Sequence, residues 1–414
     1  MRRKILLLIS LSLAACLLTG CAALPLMLSE MYPAPESPAS ASQESGDTVT
    51  LTREEYERYR KFDNLLLMLD TVKREYYEDV DEEALLQSAA AGLLEGIDDP
   101  YTFYYTPEDY AQLWEDDEGE YAGIGIQITI NYNTKICTIS RVFDGGPAFN
   151  AGVKRGDILY QVEDLMVSSD NIEEAIAIMR NTPGTQVHVT FLRNGEEMPY
   201  TLTCATVTTT RVEHKMIGDQ AGYIGLYEFA GDCAEKFEEA LKDLESQGAK
   251  GLVIDLRDNP GGWVSSAQAI GDLFLDEGDL CYLEFKNGER QYYNTTNGKS
   301  DIKLVLLVNE NSASASEILT GALRDRANAV VVGTKTYGKG IVQSVEALQN
   351  GAGMQLTIAQ YYTPSGYAVH KAGITPDVII EQPEEDVGKI YQLADLDDIQ
   401  VKTALETLEK MLAE

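Results

Sequence analysis

Basic residues are scarce in this chain of 414 residues. It has 33 Lys and Arg against 67 Asp and Glu, which gives a formal net charge of -34. Proteins that bind nucleic acid neutralise phosphates with clustered Lys and Arg, so the composition argues against a nucleic-acid partner.

Cysteine and histidine are also sparse. Beyond the N-terminus there are four widely spaced cysteines with no CxxC pair, three histidines, and no HExxH motif. We therefore expect neither a metal site nor another cofactor. Buried, unpaired thiols are the simplest interpretation. A Cys137–Cys204 disulfide stays open for an exported protein.

Long apolar runs are absent except at the N-terminus. Arg2, Arg3 and Lys4 precede an apolar stretch of about 14 residues at 5–18, which is short for a membrane span and typical of a secretory signal. An uncleaved signal anchor is the alternative. The next residues, Leu18-Thr19-Gly20-Cys21, resemble a bacterial lipoprotein box and disfavour that alternative.

The lipoprotein box predicts lipidation of Cys21, which would anchor the protein to a membrane of the bacterial cell envelope on its extracytoplasmic side. Residues 1–21 would then be the signal peptide and box. Residues 22–50, rich in Pro, Ser, Ala and Gln, predict a flexible tether.

The hydrophobic period then changes along the chain. Residues 51–117 have a capping-box pattern at 52–55 and apolar residues at helical spacing, which predict a helical region with an aromatic loop at 99–107. Residues 118–205 show alternating apolar residues and an Asn194-Gly195 hairpin signal, which predict a small β-rich domain with two helices.

Residues 206–382 alternate between strand and helix. Apolar strands are predicted at 251–255, 303–308 and 329–332, and helices at 234–246, 264–275 and 315–326. This pattern predicts an α/β core with a mixed sheet. Residues 383–414 are predicted to form an acidic helical extension, so the fold class is α/β multidomain.

Ser314 follows one of these strands and precedes a helix. Because Ser314 and Glu317 fit a capping box, it reads on its own as an ordinary N-cap serine. The alternative is a nucleophile at a helix N-terminus, where free N–H groups stabilise a developing oxyanion.

Lys339 is the candidate base for such a nucleophile. It lies between two glycines, so another backbone can pack close, and burial can lower its pKa enough to free the amine. Gln343, four residues on, could orient that amine without adding a charge. Taken by itself, this glycine-flanked lysine would be predicted to be an exposed residue of a turn. The Gly261-Gly262 pair is either a tight turn or a backbone N–H donor.

A phosphate-binding loop is the rival interpretation of this segment. Residues 333–339 match GxxxxGK, but Gly340 stands where Ser or Thr would bind magnesium. The residues after Gly340 also look like a strand rather than a helix.

Together, these segments resemble the carboxyl-terminal processing peptidases, or tail-specific proteases, which are Ser-Lys peptidases with an embedded PDZ domain. The likeness rests on GYI at 222–224, LRDNPGG at 256–262, VNENSASASEILTGAL at 308–323, TYGKGIVQ at 336–343, and YYTPSG followed by GITPD within 361–377. It covers nearly everything from about residue 55 to 382.

The resemblance implies roles for particular residues. The nucleophile falls on Ser314, the general base on Lys339 and its positioning residue on Gln343. The backbone N–H groups of Ala315 and Gly262 would form the oxyanion hole. Asp325 matches a family acid, which we interpret as structural support.

The region 118–205 resembles the family's PDZ domain. Four residues match the loop that captures a peptide C-terminus with backbone N–H groups, and they are Gly123, Ile124, Gly125 and Ile126. An ordinary glycine turn is the alternative for this segment alone. Trp263 departs from the family pattern, in which a smaller aliphatic residue is common.

These observations predict an exported, membrane-tethered serine endopeptidase that binds apolar C-terminal tails through its PDZ domain and cleaves them through an acyl-enzyme. A catalytically silent PDZ scaffold is the main alternative. The expected partners are protein or peptide substrates and the membrane. A homodimer is an open alternative, because family members often dimerise.

Overall fold

The computed structural model describes residues 49–131, 134–296, 298, 300–383 and 393–414. The predicted signal peptide, Cys21 and the tether up to residue 48 lie outside the described residues. The chain divides into two compact units, Met1–Glu82 and Glu83–Glu414, and each is described by itself.

The first unit is helical where it is described. Helices α1 (Arg53–Tyr59) and α2 (Asp63–Glu75) are joined by a 3-10 turn, Arg60–Phe62. Thr52 caps α1 as predicted, because its hydroxyl accepts from the Glu55 N–H at 3.2 Å while its own N–H donates to the Glu55 carboxylate at 2.7 Å. Apolar side chains of α2 remain exposed: Leu66, Leu67 and Met68 are 54%, 63% and 63% exposed.

Helix α3 (Glu82–Glu95) leads into the second unit. The aromatic loop contains a short strand, β1 (Phe103–Tyr105), and α4 (Pro107–Glu118) follows it. The chain then enters and leaves the β-rich domain through two paired antiparallel strands, β2 (Glu120–Gly123) and β9 (Ala205–Thr208).

The β-rich domain has a sheet in the order β3-β4-β5-β7-β8, with β6 beside β5, and two helices. Asn194 (φ 53°) and Gly195 (φ 82°) form the tight turn between β7 and β8, which confirms the predicted hairpin. The bounds are β3 (Ile126–Asn131), β4 (Ile136–Val142), α5 (Pro147–Ala151), β5 (Ile158–Val162), β6 (Leu165–Met166), α6 (Ile172–Met179), β7 (Gln186–Arg193) and β8 (Glu196–Thr203).

The α/β core contains a six-stranded mixed sheet in the order β10-β11-β12-β15-β16-β19, in which only β10 is antiparallel to its neighbour. Its elements are β10 (Val212–Ile217), β11 (Ala221–Leu226), α7 (Cys233–Ser246), β12 (Gly251–Asp255), α8 (Val264–Gly271), β15 (Lys303–Val308), α9 (Ala315–Ala327), β16 (Val330–Gly333), β19 (Val378–Ile379) and α10 (Ile399–Ala413).

Both faces of this sheet are buried, which explains its unbroken apolar strands. Leu252 and Ile254 of β12 pack in the cluster that contains α7, α8 and α9, whereas Val253 packs on the opposite face against α10. The predicted acidic extension therefore contains a helix that covers one face of the sheet.

A second, antiparallel sheet lies in the order β1-β18-β13-β14, with β17 beside β18. Its core strands are β13 (Gly278–Phe285), β14 (Arg290–Thr295), β17 (Ile341–Ala347) and β18 (Gly353–Tyr362). Strand β1 brings the aromatic loop to this sheet, through pairs such as Phe103 with Gln355.

The four cysteines of the described regions are free, buried thiols. The Cys137–Cys204 disulfide that the sequence left open is therefore not formed. Among the residues described, no helix is both long and apolar enough to cross a bilayer.

Candidate active site

The loop between β15 and α9 is fixed to the end of β12. The Ser312 hydroxyl donates to the Leu256 carbonyl at 2.7 Å, and the Ala313 N–H donates to the Asn259 carbonyl at 3.1 Å. The Ser316 hydroxyl donates to the same Asn259 oxygen at 2.9 Å. These bonds determine where the first turn of α9 begins.

Ser314 is the N-cap of α9 and has an unusual backbone, with φ 54° and ψ -115°. L-residues rarely adopt a positive φ, and such strain persists only where the surroundings enforce it. Here its N–H donates to the Glu317 carboxylate at 3.0 Å, and its carbonyl accepts from the Tyr361 hydroxyl at 3.2 Å.

Two backbone N–H groups lie unused near Ser314. Among the described residues, neither the Ala315 nor the Gly262 N–H donates a hydrogen bond. A Cβ added at Gly261 would lie 2.9 Å from the Ala315 nitrogen, so the glycine pair passes directly beside the start of α9. A Cβ at Gly262 (φ 134°) would lie 2.3 Å from the Phe229 carbonyl oxygen, so only glycine fits. The arrangement can donate two hydrogen bonds to an oxyanion.

Lys339 lies in the loop between β16 and β17, and its side chain is partly buried. The flanking glycines allow the close packing that the sequence predicted, since a Cβ at Gly340 would lie 2.2 Å from the His370 nitrogen. Burial lowers the pKa of Lys339 below its usual value, while the charge of Asp99 opposes that shift. Its Nζ lies 4.6 Å from the centre of the Tyr101 ring.

Glu317 connects the two segments, a role that sequence analysis missed. Its buried carboxylate accepts from the N–H groups of Ser314 at 3.0 Å, Gly338 at 2.8 Å and Lys339 at 2.9 Å, and from the Thr336 hydroxyl. Burial raises the pKa of Glu317, and these donors oppose the rise. The capping-box pattern identified Glu317 only as a partner of Ser314.

Gln343 lies on β17 and lines the same cleft as Ser314 and Lys339. Its side-chain nitrogen donates to the Thr357 hydroxyl at 3.2 Å. Within the described part of the chain, Gln343 makes no hydrogen bond to Lys339, and its positioning role stays a prediction.

Asp325 lies near the opposite end of α9 from Ser314. Its carboxylate accepts from the Thr363 hydroxyl at 2.7 Å and from the Ser365 N–H at 2.9 Å. This acid therefore holds the loop after β18 onto the helix.

A cleft of about 510 Å³ joins the core to the β-rich domain. On the core side it is lined by Gly262, Ser314, Lys339 and Gln343, and on the other side by residues of β3 and α6, among them Ile126, Ile128 and Ile176. A chain bound along β3 would therefore lie in the same cleft as Ser314.

The predicted carboxylate loop, Gly123 to Ile126, begins this second part of the cleft. Ile124 is buried, and Gly125 has a φ of 83°. The Ile124 and Gly125 carbonyls accept from the N–H groups of Ala148 and Phe143, whereas their own N–H groups donate to no other described residue. Strand β3, which follows, is an edge strand of its sheet.

Comparison with known proteins assigns a family. Residues 220–380 match the model of peptidase family S41, 138–193 match a PDZ domain, and 21–109 match the activating protease CtpB N-terminal domain. A carboxyl-terminal-processing protease of Synechocystis is 37% identical over 78% of this chain and 76% of its own length. The chain belongs to peptidase family S41, the carboxyl-terminal processing proteases.

Other relatives of the protease agree with this. The carboxy-terminal processing protease CtpA of Bacillus subtilis is 32% identical over 85% of this chain and 76% of its own length. The solved structure of a photosystem II D1 C-terminal processing protease has a TM-score of 0.59 and 27% identity, and the match covers 86% of this chain and 98% of that chain. The family assignment, the serine peptidase class and the mixed α/β fold with an embedded PDZ domain are thereby confirmed.

The protease does not have the structure of a nucleotide-binding loop at 333–340. The residues after Gly340 form β17, so the segment does not open the helix whose N-terminus would bind phosphates. In the part of the chain that is described, no cluster of three or more metal-ligating side chains occurs.

Proposed function

We propose that this C-terminal processing serine protease uses Ser314 as nucleophile and Lys339 as general base. The observation that supports this most is the buried Glu317 carboxylate, which accepts from the backbone N–H groups of both residues and so fixes the serine segment beside the lysine segment.

In the proposed reaction, the neutral Lys339 amine takes the Ser314 hydroxyl proton as the oxygen attacks the substrate carbonyl carbon. The N–H groups of Ala315 and Gly262 donate to the resulting oxyanion. The lysine ammonium then returns the proton to the leaving amine as the peptide bond breaks. Water then attacks the acyl carbonyl carbon as the same lysine takes its proton, and the lysine returns that proton to the Ser314 oxygen as the ester bond breaks.

The test compares cleavage of a protein with an apolar C-terminal tail by the wild type, Ser314→Ala and Lys339→Ala. Both variants should fold and lose activity by at least about 10³-fold, because removing the nucleophile or its base eliminates the acyl-enzyme route. Lys339→Arg should be equally inactive, because arginine stays charged. Activity retained in Lys339→Ala would show that another group is the base.

We propose further that the PDZ domain binds the substrate's free C-terminus. The unused N–H groups of Ile124 and Gly125, the edge strand β3 and the apolar lining at Ile126 and Ile176 support strand addition with a terminal carboxylate at the loop. A substrate whose C-terminus is amidated should have a KM about tenfold higher than the free acid. If the wild type and the variants all bind the tail but none of them cleaves it, the protein is the catalytically silent PDZ scaffold.

Membrane tethering through lipidated Cys21 and an extracytoplasmic location complete the proposal. They rest on the N-terminal sequence and are tested by metabolic labelling with a fatty acid in cells that produce the wild type or Cys21→Ala. The exposed apolar side chains of α2 support a homodimer with a second copy of the same helix, and sedimentation equilibrium of the full chain measures this.

A further inference from the structure

The aromatic loop of the N-terminal region comes directly against Lys339. The Nζ of Lys339 lies 4.6 Å from the centre of the Tyr101 ring, within the range in which a ring face attracts a cation. The ring also carries a hydroxyl that lies 3.4 Å from the hydroxyl of Tyr337, two residues before the lysine.

Several hydrogen bonds attach the aromatic loop to the core, so the position of the Tyr101 ring does not depend on a single side-chain contact. Strand β1 pairs with β18, the Gln355 side chain donates to the Tyr101 carbonyl at 3.1 Å, and the Thr357 N–H donates to the Thr102 hydroxyl at 3.0 Å. Strand β18 is also the neighbour of β17, which follows Lys339. The ring is therefore held by the same sheet that carries the lysine loop.

Asp99 adds a negative charge near the same amine. Its carboxylate accepts from the Tyr101 N–H at 3.1 Å and from the Thr102 hydroxyl at 2.7 Å. Burial acts to raise the pKa of Asp99, but the Thr357 and Thr102 hydroxyls and the charge of Lys339 bring it below its usual value. Asp99 is thus an anion at neutral pH.

We propose that Tyr101 is a positioning residue for Lys339: its ring, seated on β18, holds the lysine side chain in the cleft and, with Asp99, favours the ammonium form. This rests on the proposed role of Lys339 as the base. Burial favours the neutral amine of Lys339, and the loop opposes this effect. The fraction of neutral amine therefore depends on the position of the loop relative to the lysine.

Other charged or titratable groups lie around the lysine segment, and their effects must be distinguished from the protonation of Lys339. Glu317 of α9 accepts from the Lys339 N–H, Lys371 donates its N–H to the Gly338 carbonyl, and the His370 backbone packs on Gly340. Tyr337 lies on the same loop. Because these groups lie around the lysine, the experiment has to read the protonation of the Lys339 amine itself.

The direct measurement is the pH dependence of Lys339 acetylation by acetic anhydride, read by mass spectrometry of the Lys339 peptide in a Ser314→Ala background. Tyr101→Leu removes the ring, so the midpoint of labelling should fall by about 0.5 to 1 unit. Asp99→Asn should also lower it. Tyr101→Phe keeps the ring, and Phe103→Leu changes an exposed ring on the same loop, so both should leave the midpoint unchanged.

Cleavage kinetics give the second measurement. In Tyr101→Leu the acidic limb of kcat/KM should move to lower pH while its plateau falls about tenfold, and Tyr101→Phe should restore both. A loss of plateau with no movement of the limb would mean that Tyr101 is only structural. A labelling midpoint that stays or rises in Tyr101→Leu would overturn the proposal.

The two proposals fail in different ways. If the wild type does not cleave, the role of Lys339 as base fails, yet the labelling midpoints still report whether Tyr101 acts on the amine. If the wild type cleaves and the midpoints do not move, only the role of Tyr101 fails. Thermal unfolding of each variant identifies any that do not fold. If Tyr101→Leu does not fold, Tyr101→Met, which also removes the ring, is labelled in its place.

Discussion

At the scale of single residues, the site is built from conformations that ordinary side chains avoid. Ser314 has a positive φ, and the glycines beside it and beside Lys339 leave no space for a Cβ. Strain of about 1–3 kcal/mol at such a position has to be offset by the surrounding bonds. The bonds to Glu317 are the clearest of these, because they hold both segments at once.

Glu317→Gln should therefore weaken both stability and activity. The amide keeps one acceptor oxygen but turns an NH₂ group toward backbone N–H donors, which leaves buried donors unsatisfied. We expect a loss of about 2–4 kcal/mol in the free energy of unfolding, and a fall in kcat with little change in KM. Urea unfolding and steady-state kinetics measure these quantities.

Glu310→Gln is the matched control, since Glu310 is an exposed carboxylate in the loop before α9 that accepts from the Thr334 hydroxyl. It should resemble the wild type. A Glu317→Gln protein that unfolds at the wild-type urea concentration would contradict the connecting role.

Sequence reasoning identified the residue types at the site better than their contacts. Ser314, Lys339 and Gly262 were singled out because their motifs and spacing carry chemical meaning, and all three line one cleft. Their roles stay predictions. Tyr101 and Asp99 lie more than 200 residues before Lys339, and a contact at that separation leaves no local pattern. Gln343 was placed on the correct strand, but its recorded partner is Thr357, which spacing alone does not predict.

At the scale of elements, the apolar strands of the core and the helices between them were predictable, whereas the antiparallel sheet was not. Strands β12 and β15 have the predicted bounds, because strands buried on both faces need unbroken apolar runs. Helix α8 ends at Gly271 rather than near 275. The antiparallel sheet was missed because the β1–β18 and β13–β18 pairs, which join its two local hairpins into one sheet, link segments far apart in sequence.

Helix α10 is attached to β12 by a buried ionic network. The Arg257 guanidinium donates to Asp255 at 2.8 Å and to Asp398, the N-cap of α10, at 2.6 Å. The Tyr223 hydroxyl also donates to Asp255 at 2.6 Å. Burial acts to raise the pKa of Asp255, but Arg257 and the Tyr223 hydroxyl bring it below its usual value.

Arg257→Met should destabilise the protease by about 3–5 kcal/mol at pH 7, because two buried carboxylates lose their counter-charge. In the wild type the lowered pKa of Asp255 contributes stability above about pH 4, and this is lost as the pH falls through the folded-state pKa. Unpaired carboxylates in the variant favour protonation instead. The difference in unfolding free energy between the wild type and Arg257→Met should therefore be smaller at pH 4 than at pH 7. Urea unfolding at the two pH values measures it.

Arg290→Met removes an exposed ion pair with Glu284 and is the control, with an unchanged unfolding transition. A constant difference between wild type and Arg257→Met across this pH range would show that the carboxylates are not the cause.

At the scale of the whole molecule, the PDZ domain and the peptidase core line a common cleft. Residues of β3 and α6 line the same cavity as Ser314, so under the proposed function a tail bound along β3 would lie beside the serine. The order of these parts was predictable from motifs, but the shared cleft depends on how the PDZ domain packs against the core.

Ile176→Glu tests this coupling. A carboxylate in the apolar groove should weaken tail binding, so we expect KM to rise about tenfold or more with kcat within about twofold, because the groove contributes binding rather than chemistry. The control is Ala177→Glu, which adds the same charge to the same helix on its exposed side. Equal effects of the two substitutions on KM would refute a specific role for the groove.

The paired strands β2 and β9 have a consequence for how this architecture can change. Partners in an antiparallel pair lie about 5 Å apart, and Gly123 pairs with Ala205, so the PDZ domain begins and ends at nearly one point. A gene segment encoding another peptide-binding module with adjacent termini could replace it without altering the path of the core. Under the proposed function, the module that binds the substrate tail could therefore be exchanged independently of the core that cleaves the peptide bond.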